Sequence, residues 1–402
     1  MRIGIYTDMR NPEAWRRPWV ELYSSTIERI VDAERLGVDS VWVSEHHLFA
    51  DGYLPQPLTL AAALANATQR MRIGTAVMIA PLRPALQIAE EAAVVDLLSG
   101  GRLELGLGAG YRVPEFRAYG VEVRERFPLL HRRAGEVLAL FSEGRCTPPP
   151  VQQPPPMWLG VMGPRGARIA GRLGVGLLWV GRSLHQPYLD GLSEGGHPPS
   201  AARMGGLVNL LLADDPEAAW PRIAPHLAYQ RQSYESAAAE DREGASTPAV
   251  RAFPASTADT REMIAEGPRL QQSRLSSRMQ VLTPEQALPL LSEHIAGLPV
   301  TDLFFWLSVA GMPDDLVQRH LELLAGSLAP ALRSAHAASP CASEDAGERR
   351  GGSEAAAEHL GPSGEAGEHL GPSGEAGERR GARVEASGGE VLPGHESVGG
   401  IR

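Results

Sequence analysis

Continuous apolar segments alternate with longer amphipathic segments through the first 335 residues of the chain. The apolar segments lack the alternation of half-exposed strands, and such continuity is typical of parallel strands covered on both faces. The sequence predicts eight of these strands, at residues 2–6, 40–44, 73–79, 103–109, 157–162, 176–180, 205–212 and 302–309. We therefore expect a predominantly parallel sheet.

Helical periodicity fills several of the intervals between these strands. In residues 21–36 the side chains of Leu22, Ile27 and Ile30 recur on one stripe, as in an amphipathic helix. Similar spacing predicts helices at residues 84–98, 128–141, 164–173 and 314–328. Three of the predicted helices are followed by a glycine that suits a helix C-terminus, namely Gly37, Gly100 and Gly174.

Eight strands with intervening helices fit an α/β fold of the (β/α)8 TIM-barrel type. The alternative is a doubly wound open sheet, whose glycine-rich dinucleotide fingerprint follows the first strand. Here the first predicted strand is followed by TDMRNPEAW, which contains no glycine. The sequence therefore favours the barrel.

The composition changes after residue 335. Residues 337–402 contain no aromatic residue of the Phe, Trp or Tyr type, and their twelve acidic residues and six arginines carry −6 of the net charge of −10. EHLGPSGEAG at 358–367 recurs unchanged at 368–377, with too few apolar residues to stack repeats into a core. We predict a barrel domain at 1–335 and a disordered low-complexity tail at 336–402 that has no catalytic role.

The chain contains no lysine, so its basic residues other than histidine are all arginines. This composition excludes lysine Schiff-base chemistry and a lysine-containing phosphate loop. The net charge of −10 argues against nucleic-acid binding, and two cysteines imply no disulfide framework. No apolar run approaches the length of a membrane span. We expect a cytoplasmic protein that binds neither nucleic acid nor membrane.

Two adjacent histidines follow the second predicted strand, in the sequence Glu45-His46-His47. Barrel enzymes carry active-site side chains at this end of their strands, and the imidazole group suits proton transfer near neutral pH. A structural histidine that bonds a loop carbonyl is the alternative. Because the sequence has neither a His-x-His strand pair nor a metal-binding helix motif, we predict no metal site.

Glycines cluster at the ends of the fourth and fifth predicted strands. Gly106, Gly108 and Gly110 alternate in the fourth, and Gly160 and Gly163 precede a helix start at Pro164. Backbone N–H groups at a helix start bind anions, so these glycines suggest a phosphate-bearing cofactor. Arg112 and Arg126 are near enough in sequence to contribute charge-assisted bonds. Tight packing between strand and loop is the alternative explanation for the glycines.

Several of these stretches together resemble the bacterial-luciferase-like, flavin-dependent oxidoreductases. They are GVDSVWVSEHH (37–47), MRIGTAVMIAPLRPALQIAEEAAVVDLLSGGRLELGLGAGY (71–111), EFRAYGV (115–121), MWLGVMGPRGARIAGRLG (157–174) and VTDLFFWLSVAGMPDDLVQRHLELL (300–324). The resemblance covers most of residues 1–335 and excludes the tail.

The resemblance implies a barrel with an insertion after the seventh strand, which residues 240–275 fit. It also implies a flavin bound at the C-terminal ends of the strands. In the monooxygenases of this family, reduced FMN arrives from a separate flavin reductase and reacts with oxygen to give a flavin peroxide. Other members bind a deazaflavin and transfer hydride. The resemblance further implies a homodimer.

Individual site residues follow from the same resemblance. His46 matches the active-site histidine, and a cis peptide bond is expected between Ala76 and Val77. The other positions that match flavin-contacting residues are Gly108, Ala109, Tyr111, Arg126, Val161, Met162 and Gly163. Luciferase itself has an arginine where this chain has Ala109, and Glu-Ser where it has Met162-Gly163. These departures leave the choice between FMN and a deazaflavin open.

The sequence thus predicts a flavin-dependent monooxygenase that uses reduced FMN and oxygen to oxidise a small organic substrate. A deazaflavin-dependent hydride-transfer enzyme on the same barrel is the first alternative. A flavin-binding barrel without turnover is the second. A metal-dependent barrel hydrolase is the reading that the residues favour least.

Overall fold

Eight parallel strands close into a barrel in the computed structural model, which describes residues 1–240 and 279–337. The barrel strands are β1 (Arg2–Thr7), β2 (Ser40–Val43), β3 (Arg72–Thr75) with its continuation β4 (Met78–Ile79), β5 (Leu103–Gly108), β6 (Met157–Gly160), β7 (Gly176–Leu178), β8 (Met204–Val208) and β11 (Val300–Trp306). The ring closes where β11 pairs with β1, with Leu303 opposite Ile3. The predicted (β/α)8 barrel is confirmed.

Helices connect the strands and cover the barrel. They are α1 (Trp19–Arg35), α2 (Pro57–Ala67), α3 (Ala85–Ser99), α4 (Val113–Ala118), α5 (Arg126–Ser142), α6 (Pro164–Arg172), α7 (His185–Glu194), α8 (Pro216–Glu240), α9 (Pro284–Ile295), α10 (Asp314–Leu323) and α11 (Ala329–Ala337). The five helices predicted from periodicity correspond to α1, α3, α5, α6 and α10. Within the described ranges, no helix is long and apolar enough to cross a membrane.

Two predicted strands are interrupted. The strand predicted at 73–79 divides into β3 and β4 around the peptide bond between Ala76 and Val77, which is cis. The strand predicted at 205–212 leaves the barrel after Val208, because β9 (Leu210–Leu212) pairs instead with β10 (Gln280–Leu282) in a separate two-stranded sheet. The chain therefore departs from the barrel after its seventh strand, where the insertion is predicted.

Parts of the predicted organisation fall on residues that the structure does not describe. Of the insertion predicted at 240–275, only Glu240 is described, as the last residue of α8. Of the tail predicted at 336–402, only the first two residues are described, and they belong to α11. The boundary at residue 335 and the disorder of the tail stay predictions.

Large aromatic side chains and glycines share the barrel interior. The rings of Trp42 and Phe304 stack with centroids 4.8 Å apart, and Trp158 meets Trp42 edge-on at 5.9 Å. A Cβ atom on Gly74 would lie 2.2 Å from the Trp42 ring, so this position in β3 admits no side chain. The interior is a packed core, and the space for a ligand lies at the ends of the strands.

The N-terminal end of the barrel is closed by an ion-pair network. Arg2 Nε donates to Asp302 Oδ1 over 2.6 Å, and Arg2 Nη2 lies 3.0 Å from Glu104 Oε1. Trp158 Nε1 donates to the other oxygen of Glu104 over 2.7 Å. Charges at this end of a barrel serve stability, which leaves the opposite end for chemistry.

Candidate active site

The Glu45-His46-His47 sequence lies in the loop that follows β2, at the C-terminal mouth of the barrel. Because β2 ends at Val43, strand alternation does not separate the two histidines. All three side chains are buried, with His46 8% exposed and Glu45 2% exposed. Buried charged and polar groups need hydrogen-bond partners, and each histidine lies within hydrogen-bond distance of a different glutamate.

His46 is paired with Glu115. Its Nδ1 lies 2.8 Å from Glu115 Oε1, and the same oxygen accepts the backbone N–H of His47 over 2.9 Å. Glu115 is fully buried in the first turn of α4, which follows β5. The bond to a carboxylate fixes the proton on Nδ1 and leaves Nε2 of His46 as the nitrogen that can face a ligand.

His47 belongs to a second cluster. Its Nε2 lies 2.6 Å from Glu45 Oε1, and Arg83 Nη1 donates to the same oxygen over 2.6 Å. The second oxygen of Glu45 accepts the backbone N–H of Ile79 over 2.8 Å. Arg112 Nη1 donates to the backbone carbonyl of His47 over 2.8 Å. These bonds tie the loop after β2 to the ends of the neighbouring strands, so His47 has the contacts of a bracing residue.

Aromatic rings surround the exposed edge of His46. Tyr53 meets the imidazole edge-on with centroids 4.7 Å apart, and Tyr111 and Phe49 lie at 5.2 Å. Tyr234 of α8 completes the group at 6.4 Å. This wall lowers the polarity around His46 and restricts the access of water, which strengthens hydrogen bonds made by its free nitrogen.

A chain of hydrogen-bonded hydroxyl groups includes two members of this wall, Tyr53 and Tyr234. Tyr6 donates to Ser44 over 2.6 Å, Ser44 donates to Tyr53 over 2.9 Å, and Tyr53 lies 3.0 Å from the hydroxyl of Tyr234. Burial is the largest cause that raises the pKa of each of the three phenols above its ordinary value of 10. The chain therefore stays protonated at neutral pH and offers hydrogen-bond donors to the mouth of the barrel.

The glycines at the ends of β5 and β6 are explained by one side chain, that of Val77. A Cβ atom on Gly108 would lie 2.2 Å from Val77 Cγ2, and one on Gly160 would lie 2.5 Å from Val77 Cγ1. Both glycines therefore make room for Val77, beside the cis bond to Ala76. For these two positions, tight packing accounts for the glycine without a phosphate.

We expect Gly108→Ala to destabilise the barrel by about 1–3 kcal/mol, the usual cost of overpacking a filled site. Combining it with Val77→Ala should recover part of that loss, because the second change removes the atoms that the new methyl group meets. Urea unfolding of both single variants and the double variant measures the coupling. Strictly additive losses would show that the two side chains do not compete for the same space.

The start of α6 has a different environment. A Cβ atom on Gly163, which caps this helix, would meet no other atom within 4 Å, and Met162 is 71% exposed. Val161 is buried and packs over Gly166. There is thus open space beside the N-cap of α6, the kind of position at which an anion can meet the backbone N–H groups of a helix start.

The remaining predicted cofactor positions are spread around the mouth. Ala109 is 9% exposed directly after β5, and Tyr111 is 41% exposed beside His46. Arg126 begins α5, where it bonds the carbonyl of Val123 over 3.1 Å and lies over the ring of Phe127. Among the predicted cofactor positions, Val77 thus lies against Gly108, and Tyr111 lies against His46. Arg126 contacts residues close to it in sequence.

Several charged residues at the mouth were not predicted from the sequence as site residues. Glu115 and Arg83 hold the two histidines, and their only signal was that both lie in stretches of the resemblance, Glu115 in 115–121 and Arg83 in 71–111. Asp8 and Arg10, just after β1, form a third buried cluster with Asp51.

Within residues 1–240 and 279–337, no group of His, Cys, Asp and Glu side chains is arranged to hold a metal ion.

We expect Asp8→Asn to stabilise the protein at pH 7.5 and to have little effect at pH 4. Burial raises the pKa of Asp8 from about 3.8 to about 6, although Arg10 opposes the shift. An acid with a raised pKa in the folded state binds protons more tightly there, so stability falls as pH rises from about 4 to above 6. The loss is on the order of 2–3 kcal/mol. Thermal unfolding of both proteins across this pH range tests the prediction, and parallel curves would contradict it.

A family model described as luciferase-like monooxygenase matches residues 1–287. The oxygenase component of flavin-dependent trigonelline monooxygenase from Acinetobacter baylyi is 32% identical over 187 residues, which are 42% of this chain and 51% of that protein. An F420-dependent glucose-6-phosphate dehydrogenase from Amycolatopsis mediterranei is 33% identical over 188 residues, 41% of this chain and 56% of that protein. The chain spans about half the length of these curated relatives.

Solved structures show the same fold at lower identity. A monooxygenase from Streptomyces bottropensis superposes with a TM-score of 0.62 at 20% identity, covering 82% of this chain and 99% of that one. An F420-dependent secondary alcohol dehydrogenase superposes with a TM-score of 0.61 at 17% identity, covering 82% and 98%. Oxygen-using and deazaflavin-using enzymes therefore share this barrel.

Proposed function

The chain belongs to the luciferase-like monooxygenase family, and on that premise we propose that it is a monooxygenase that uses reduced FMN and oxygen to oxidise a small organic substrate. The observation that carries the proposal is the buried pair of His46 and Glu115, whose free imidazole nitrogen lies within an aromatic wall at the barrel mouth. A proton donor in a site that restricts water is what controlled oxygen chemistry requires.

The residues at the mouth fit a flavin. The backbone N–H groups at Val161, Met162 and Gly163, just before α6, would hold a phosphate, and Arg126 or Arg165 would add a positive charge. Along the ring and its tail we assign contacts at Ala76, Val77, Gly108, Ala109 and Tyr111. Once bound, reduced FMN would supply two electrons, so that one oxygen atom enters the substrate and the other leaves as water.

His46 would manage the proton in this reaction. Glu115 holds its Nδ1, so Nε2 is the nitrogen that can donate a hydrogen bond to an oxygen atom and take the proton back. Tyr53 and Tyr111 flank the ring and keep bulk water from that nitrogen. Glu45, Arg83 and His47 keep the loop in place.

Hydride transfer with a deazaflavin is the second candidate. The match to deazaflavin-dependent dehydrogenases is as strong in identity as the match to a monooxygenase, at 33% against 32%. The chain also has Ala109 at the position where luciferase has a phosphate-binding arginine. A hydride-transfer enzyme would use His46 to protonate or deprotonate a substrate oxygen and would not consume oxygen.

Rapid mixing with oxygen separates the two candidates. We expect the complex with reduced FMN to show a transient absorbance before oxidised FMN returns, and to do so more slowly than free reduced FMN. The physical reason is the restricted access of water and the proton held at His46. Reoxidation of the FMN complex at the rate of free flavin, without a transient, would reject the monooxygenase.

The partners follow from the same proposal. The oxygenase component named among the relatives leads us to propose a separate flavin reductase as the source of reduced FMN. We propose a homodimer in which α3 contributes to the interface, because its exposed side includes Leu86, Val94, Leu97 and Leu98. Sedimentation velocity tests the dimer.

We also propose a cytoplasmic location, with which the free, buried thiol of Cys146 agrees.

A further inference from the structure

A cleft of about 360 Å³ opens beside the end of β1, and its lining includes neither His46 nor the aromatic rings around it. It lies between the residues that follow β1, the start of α1 and the loop that follows β11. Apolar side chains form part of its lining, among them Trp15, Leu22 and Met312. The cleft can therefore accept a compact apolar group as well as a polar one.

The charges around the opening of the cleft compensate one another. Arg17 lies 2.9 Å from Glu21, and Arg29 lies 2.9 Å from Asp314. Arg17 also contacts Asp314 at 3.3 Å. With two arginines and two carboxylates, this part of the lining has no net charge.

At the floor of the cleft, negative charge is in excess of positive charge. Asp8 and Arg10 line it, and Arg10 Nε donates to Asp51 Oδ2 over 2.7 Å. All three side chains are about 3% exposed, and the two carboxylates share one guanidinium. Asp8 Oδ2 and Asp51 Oδ1 have no hydrogen-bond partner. A buried carboxylate oxygen in this state costs free energy unless a ligand satisfies it.

Arg10 lies near enough to Asp8 to lower the pKa of that carboxyl group, but its hydrogen bonds go to other residues. Its Nη2 donates to Ser233, and its guanidinium lies 5.3 Å from the ring centroids of both Tyr53 and Tyr234. Nη1 is buried and has no partner, and no ion pair joins Arg10 to Asp8 among the described contacts. When both are ionised, Asp8 and Asp51 together carry one negative charge more than Arg10 compensates.

We propose that this cleft binds a small organic cation, with its ammonium group on Asp8 and its apolar body against Trp15 and Met312. The negative floor selects the charge, and the aromatic and thioether lining suits a flat or short hydrocarbon. The inference does not rest on the proposed oxidation, because binding at Asp8 requires neither flavin nor oxygen. It assigns the residues after β1 to ligand recognition.

The expected pH dependence has a definite sign. Protonation of Asp8, whose pKa burial raises to about 6, would remove the charge that the cation needs, so affinity should fall below pH 6. The titratable and charged groups that face Asp8 or the cleft from the neighbouring elements are Tyr6, Arg10, Arg17, Glu21, Arg29, Asp51, Tyr53, His226, Tyr234 and Asp314.

Calorimetric titration of the full chain with benzylammonium, benzyl alcohol and benzoate tests the site. At pH 7.5 we expect benzylammonium to bind at least about tenfold more tightly than the alcohol, and benzoate to bind most weakly. Asp8→Asn should reduce the preference for the cation to about twofold or less. Asp32→Asn, which removes an exposed carboxylate elsewhere on α1, should leave it unchanged.

A pH series on the unmodified protein gives a test that does not depend on how the variant folds. The preference for benzylammonium should be lost between pH 7.5 and pH 5. Equal binding of ammonium and alcohol, binding of none of the three probes, or tighter binding of benzoate would overturn the proposal. So would a preference that survives in a folded Asp8→Asn variant or at pH 5.

Discussion

Replacing His46 with alanine is expected to make FMN return to its oxidised state about 100-fold faster after oxygen is admitted. A positioned general acid or base is worth about 10²–10⁴-fold, and His46 is the imidazole with a free nitrogen at the barrel mouth. Rapid-mixing absorbance measures the rate in the protein loaded with reduced FMN. Affinity for reduced FMN should change by less than about threefold, because the assigned phosphate contacts are at α6.

His185→Ala is the matched control. His185 begins α7 and belongs to neither histidine cluster, so its removal should leave the reoxidation rate unchanged. An equal acceleration in both variants would mean that loss of stability, and not loss of a proton donor, is the cause. An unchanged rate in a folded His46→Ala variant would contradict the role assigned to His46.

Replacing Glu115 with glutamine should lower activity about 10–100-fold, the usual cost of losing a partner that orients a reactive group. Glu115 contacts His46 and the backbone of His47 and is fully buried, so it acts as a positioning residue. The amide keeps the size of the side chain and removes its charge. The amide group can still accept a hydrogen bond through its oxygen, but it no longer offers a carboxylate to Nδ1 of His46.

A double-mutant cycle distinguishes positioning from a structural effect. If Glu115 acts through His46, Glu115→Gln should have little further effect in the His46→Ala background. Glu115→Asp keeps the charge and should restore part of the activity. If the loss from Glu115→Gln adds fully to the loss from His46→Ala, Glu115 only supports the fold.

The barrel could be predicted from sequence because parallel strands covered on both faces produce continuous apolar runs. The apolar pattern did not indicate the breaks within those runs: the cis bond between Ala76 and Val77 was expected only from the resemblance, and Asn209 stands alone between apolar residues. The helix α8 was missed because Pro221 and Pro225 lie inside it, and proline normally argues against a helix interior. Local composition does not reveal the tertiary contacts that stabilise a helix in spite of internal prolines.

Site residues could be predicted only where the position of a residue next to a strand was enough to place it at the barrel mouth. His46 follows a strand directly, so its place in the barrel could be inferred from the chain alone. Its partner Glu115 comes 69 residues later in a helix of six residues, too short to show periodicity. Gly108 and Gly160 suggested a phosphate, but the space they leave is filled by Val77, whose conformation no local pattern indicates.

Cofactor choice is the most direct test of the central claim. Anaerobic titration of the purified chain with reduced FMN, and separately with a reduced deazaflavin, can be followed by the fluorescence of either ligand and of the protein. We predict tighter binding of reduced FMN. Tighter binding of the deazaflavin, with a complex that does not react with oxygen, would contradict the monooxygenase and assign this barrel to hydride transfer.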